Sequence, residues 1–178
     1  VPMPTIGVAI AVPEPWASEL QGFREDNGDA SASLIPTHIT LVPPLDVDDD
    51  VLAGVEEHLG AAASRVESFH VRLSGTGTFR PVSPVVFVAL AEGEGGCRQL
   101  EHEVRSGPLA VEATYPYHPH VTVAHHVPEE ALQAAEEELA GFECDFDVAD
   151  LSLWLLDDER GWQVARRFPL AAAGGASA

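Results

Sequence analysis

Two tetrapeptides carry side chains that could share one piece of chemistry: His38-Ile39-Thr40-Leu41 and His120-Val121-Thr122-Val123. Each reads His-apolar-Thr-apolar. Side chains alternate faces along a β-strand, so a His and a Thr two residues apart project together while their apolar neighbours point into a core. Each tetrapeptide would then present an imidazole and a hydroxyl on an apolar anchor. Imidazole has an unperturbed pKa of about 6.5, so one of two such groups can accept a proton while the other supplies one near neutral pH. A positioned general base or acid typically contributes about 10²–10⁴-fold to a rate. Hydroxyls beside them can hold negative charge developing on oxygen.

Eight histidines and seven threonines in 178 residues would yield roughly 0.3 His-x-Thr by chance, whereas two occur. Both lie in short β-type segments entered past a proline, nearly half the chain apart. A duplicated lobe would bring both surfaces to one cleft.

The segments around them alternate between strand and helix patterns. Residues 5–12 (TIGVAIAV) are β-branched and end at Pro13, as a buried strand does; residues 15–24 follow as a helix. A polar turn over 27–33 leads to a strand over 37–42, which Pro43 and Pro44 are expected to stop. Asp46 to Asp50 supply negative charge at the start of a helix through Val66, which accounts for the aspartate run without a metal. Alternation over 69–73, a turn at Gly75 and Gly77, and a strand over 85–90 predict a hairpin. The GEGG stretch at 93–96 precedes a helix to about Arg105 and lacks the Lys-Ser/Thr ending of a phosphate loop. The second half echoes the first: a strand within 114–127, a helix over 128–140 with a Glu-rich exposed face, and two strands within 145–156 and 162–170. The expected class is α+β, two lobes of mainly antiparallel sheet with helices outside and a central cleft, in one domain over 1–170 with a frayed tail over 171–178.

The paired motifs resemble the two-histidine phosphoesterase superfamily, in particular bacterial RNA 2',3'-cyclic phosphodiesterase and 2'-5' RNA ligase-like proteins. The resemblance spans nearly the whole chain. It rests on PTHITLV at 36–42 and YHPHVTVAH at 117–125, with support from GTGTFRP at 75–81 before VVFVAL and from the closing WQVARRFPL. It implies a bilobal fold with a pseudo-twofold axis, catalysis without a metal or other cofactor, and His38, Thr40, His120 and Thr122 as the catalytic set. Opening a cyclic phosphate needs a base toward water and an acid toward the departing ribose oxygen, and the expected order is His120 as base and His38 as acid. The threonines would serve the non-bridging phosphate oxygens.

Candidate substrate-binding residues are Tyr117, His118, Phe79 and Arg80, with Tyr115 and Trp154 as further aromatic faces on which a base could stack, and Arg72 or Arg166 as distal phosphate contacts. Core packing is the commoner fate of Phe79 and Trp154, and arginines on so acidic a chain more often pair with carboxylates. His118, His120, His125 and His126 cluster, but strand parity points His125 away from His120 and no HExxH or Cys partner occurs, so no metal site is expected. His58, His70 and His102 are expected at the surface.

Twenty-nine acidic residues face nine arginines and no lysine, a net charge of −20 that repels polyanions. Duplex DNA is excluded as a partner on this ground; a small nucleotide or ribose cyclic phosphate, or at most a short RNA end, suits a local pocket. Cys97 and Cys144 form no CxxC and read as core filler. No stretch has the length of a membrane span, and a cytoplasmic monomer is the expectation. Three alternatives stay open: 2'-5' RNA ligation by the same four residues, a non-catalytic nucleotide-binding module, and a metal-dependent hydrolase built on the 118–126 histidines.

Overall fold

The structure is a computed structural model that describes residues 4–30, 32–110 and 116–172. Tyr115 and the tail from residue 173 lie outside the described residues. Eight strands and four α-helices follow in the order β1 (Thr5–Ala11), α1 (Trp16–Asp26), β2 (His38–Asp46), α2 (Asp49–Ser64), β3 (Phe69–Thr78), β4 (Val85–Glu92), α3 (Glu94–Val104), β5 (His120–His125), α4 (Glu129–Glu138), β6 (Glu143–Val148), β7 (Asp150–Asp157) and β8 (Gly161–Pro169). They form two four-stranded sheets, β2-β1-β7-β8 and β5-β4-β3-β6, antiparallel at every pairing. The class is α+β with two sheet lobes.

The lobes are not a first and a second half. One is contiguous, from β3 to β6, while the other joins both ends of the chain. The repeated unit is smaller: β1-α1-β2 and β4-α3-β5 each place a His-x-Thr strand at a sheet edge. Each unit's helix then packs on the other lobe's edge strand, α1 on β5 and α3 on β2, and β2 and β5 touch directly. This exchange brings the two edge strands face to face.

Three expected boundaries are corrected, each by pairing. First, β2 continues through Pro43 and Pro44, because it is an edge strand and the register against β1 slips between Val42 and Leu45. A residue without an N–H is tolerated at such a place. Second, β3 runs through Gly75 and Gly77 rather than turning there. Gly75 takes a left-handed φ of 76° at a register slip, and a Cβ on Gly77 would sit 2.7 Å from the Phe87 ring. Third, the stretch 145–156 is two strands in different sheets, since the chain crosses between lobes at Ala149.

Ile39 and Leu41 on β2, and Val121 and Val123 on β5, are fully buried in the apolar core, while the His and Thr between them are partly open. No helix of the described residues is long and apolar enough to cross a membrane.

Candidate active site

The two motifs are held the same way. His38 Nδ1 lies 2.7 Å from the Pro36 carbonyl and His120 Nδ1 lies 2.6 Å from the His118 carbonyl, two residues upstream in each case. A carbonyl oxygen only accepts, so Nδ1 carries the proton in both rings and Nε2 is left for chemistry. His38 Nε2 meets Thr40 Oγ1 at 3.1 Å.

The edge strands border two adjoining cavities of about 210 Å³ and 890 Å³. His38 lines the smaller and His120 the larger, while Thr40, Thr122 and His125 line both. The threonines thus stand where the cavities meet. Burial lowers the pKa of both imidazoles; Arg24 adds to this at His38, and His118 and His38 add to it at His120. Burial thus favours the neutral form of both rings in the free protein.

Phe79 packs edge-on against His120 and His118, with ring centroids 4.9 and 5.5 Å away, and so braces the second motif. The indole of Trp154 stands 6.1 Å from the His38 ring as its counterpart across the cleft. Tyr117 lines the larger cavity, and its hydroxyl donates to the Thr40 carbonyl at 2.7 Å, tying the approach of one motif to the strand of the other. Burial raises its pKa, so it stays a donor. If this strap positions Thr40, Tyr117→Phe removes one net hydrogen bond, and kcat/KM is expected to fall by up to about tenfold, mostly in kcat. A steady-state comparison of the two enzymes checks it; a change confined to KM would instead make Tyr117 a substrate contact.

Arg80 lies elsewhere. Its guanidinium bridges Glu129 at 2.5 Å and Glu136 at 2.9 Å, and it lines neither cavity. Arg72 pairs with Glu143, and Arg166 pairs with Glu56 and covers the Phe168 ring. The guanidiniums that do reach the cleft are Arg105 in the larger cavity and Arg24 in the smaller. Arg24 sits one helical turn beyond buried Leu20 on the same face of α1, and that spacing is the sequence signal that could have marked it.

His125 faces the cleft, contrary to the strand parity that points it away from His120. Phe87 pairs with Thr122 and Val86 with Ala124, so β5 spends an extra residue at Val123. This bulge buries Val123 and Ala124 in succession and turns His125 onto the cleft face with Thr122. His126, at a left-handed φ of 60°, stacks on it at 3.7 Å. Among the described residues, no three His, Cys, Asp or Glu side chains are placed to hold a metal ion.

Two sheet lobes with facing His-x-Thr edge strands define the two-histidine phosphoesterase class. The chain belongs to the 2'-5' RNA ligase superfamily, whose profile matches residues 12–160. A relative from Oceanobacillus iheyensis named "Putative phosphoesterase OB1230" is 26% identical over 166 residues, 92% of this chain and 96% of its own. The crystal structure of E. coli LigT complexed with NADP+ superposes with a TM-score of 0.73 at 21% identity, covering 96% of this chain and 99% of that one. LigT complexed with 3'-AMP gives 0.69 at 22% over the same shares. These likenesses establish the fold.

Proposed function

We propose that the protein hydrolyses a small 2',3'-cyclic phosphate of a nucleotide or related ribose to a monoester, without a metal. Water attacks phosphorus as His120 Nε2 takes its proton; the phosphorus–oxygen bond to the ribose breaks as His38 Nε2 returns a proton to that oxygen. Thr40 and Thr122 donate to the non-bridging oxygens, and His118 and Phe79 hold the His120 ring. The observation that carries this reading is the matched Nδ1 tether on two facing edge strands, which leaves an Nε2 at each side of a paired threonine step. LigT bound to 3'-AMP supports a nucleotide-sized ligand on this fold. The same groups would carry out 2'-5' ligation if a ribose 5'-hydroxyl took the place of water as nucleophile, but a charge of −20 favours a small substrate over long RNA.

Purified protein incubated with 2',3'-cyclic nucleotides and 2'-5' oligonucleotides, with and without chelator, tests the proposal. Turnover of the cyclic substrate in chelator is the expected result, and loss of turnover on chelation would sink it.

The base acts only when neutral, so activity rises through its pKa; the acid acts only when protonated, so activity falls through its pKa. Both are lowered from 6.5. The bell in kcat/KM, which reports the free enzyme, is therefore expected to peak on the acid side of pH 6.5 and to be falling already at pH 7. A profile across the range locates the peak; a maximum at alkaline pH would contradict the burial of these rings.

A further inference from the structure

The smaller cavity has a composition that the proton chemistry does not need. Its floor is strand β1, where Gly7 and Ala9 present almost nothing; its walls include the indoles of Trp154 and Trp162. Small residues on β1 make the hollow. A Cβ on Gly7 would stand in ordinary contact with the Trp162 ring, at 3.4 Å, so glycine leaves that part of the ring uncovered. A shallow bed between indoles suits a planar ring, because any heteroaromatic base offers a face for stacking.

Arg24 supplies the polar feature. It is 4% exposed, yet it lines this cavity. Nε and Nη2 both donate to one oxygen of Asp29, at 3.0 and 2.5 Å, and no described residue accepts from Nη1. Because Arg24 lines the cavity and Nε and Nη2 are taken by Asp29, Nη1 is the donor left for an acceptor that a ligand there would supply. Asp29 already offsets the charge, so an incoming group need only be a good acceptor, not an anion. A carbonyl on a ring meets that requirement. An exocyclic amine in its place would set donor against donor.

We propose that this cavity seats the base of the substrate, stacked on Trp162 and Trp154, and that Arg24 Nη1 selects a carbonyl-bearing base such as guanine or uracil over adenine. The inference rests on the cyclic-phosphate reading for its catalytic arm, and a binding arm makes it testable without turnover. It assigns the two cavities different tasks: the smaller recognises the base, while the larger receives whatever the substrate carries on the other side of the phosphorus.

The catalytic arm compares 2',3'-cyclic GMP, UMP and AMP. The guanine and uracil substrates are expected to have KM at least about tenfold below that of the adenine one. Trp162→Ala should raise KM for cyclic GMP by about tenfold with kcat little changed, while Trp162→Phe, which keeps a ring, restores it. The double variant Arg24→Met/Asp29→Asn removes donor and partner together, so no lone buried charge remains, and should erase the base preference without abolishing turnover. The binding arm follows tryptophan fluorescence with guanosine, adenosine, 3'-GMP, 3'-AMP and inorganic phosphate. Guanosine quenching that exceeds adenosine quenching, and that is lost in Trp162→Ala, supports the seat even if no cyclic phosphate is turned over. Equal KM for all bases, an unchanged KM in Trp162→Ala, or no nucleoside binding overturns it. So does a double variant that weakens inorganic phosphate as much as 3'-GMP, since Arg24 would then serve the phosphate.

Discussion

His38→Ala and His120→Ala are each expected to lower kcat/KM on a 2',3'-cyclic nucleotide by about 10²–10⁴-fold, the usual contribution of one positioned proton transfer. The two losses should not add. Base and acid act in the same displacement, so once one is missing the other has little left to assist, and the double variant is expected to fall little below the worse single. An activated leaving group separates the roles. A departing nitrophenolate needs no proton, so His38→Ala should recover most of its activity on such an ester, while His120→Ala should not because its water still lacks a base. Recovery of the His120 variant alone would reverse the assignment. Removal of either ring also strands the carbonyl it caps, Pro36 or His118. His38→Asn and His120→Asn keep a donor near the Nδ1 position, and should lose the same activity with the melting temperature closer to that of the parent. Turnover equal to the parent's in all four variants would show that the chemistry lies elsewhere.

The part of this site that the sequence makes legible is the part set by local alternation. His38 and Thr40 must share a face once Ile39 and Leu41 are buried, and the same holds for His120 and Thr122. What stayed hidden is decided by the partner strand or by the packing of distant elements. Parity along β5 fails at Val123 because β4 has one residue fewer over that stretch, and nothing in HVTVAH announces it. Pro43 and Pro44 read as terminators until β2 is known to be an edge. Gly77 reads as a turn, whereas it makes room for a ring on the next strand. Arg24 enters the cleft because α1 packs on the edge strand of the opposite lobe, a contact that no periodicity encodes. Arg80, in the GTGTFRP segment, was the more conspicuous cation, and it proves to be committed to α4 carboxylates.

The threonines are the next largest expectation, and the structure makes them unequal. Thr40→Val and Thr122→Val each remove a hydroxyl at nearly constant volume, and the loss of one preorganised donor to a charged oxygen typically costs about 10²–10³-fold in kcat. Both variants should fall in that range, and Thr→Ser should recover most of the loss at either position. Thr40, however, also contacts His38 Nε2 at 3.1 Å, while among the described residues no such bond joins Thr122 to His120. When His38 is neutral, the Thr40 hydroxyl can donate to Nε2 and is withheld from a phosphate. When His38 is protonated, Nε2–H donates to the hydroxyl oxygen and turns its proton outward. Charging the acid thus frees the donor that the transition state needs. Valine cannot accept from the protonated ring, so Thr40→Val should move the falling limb of the kcat/KM profile further to acid, while Thr122→Val lowers the whole profile without displacing it. Identical limbs in the two variants would mean that Thr40 has no part in holding the proton on His38.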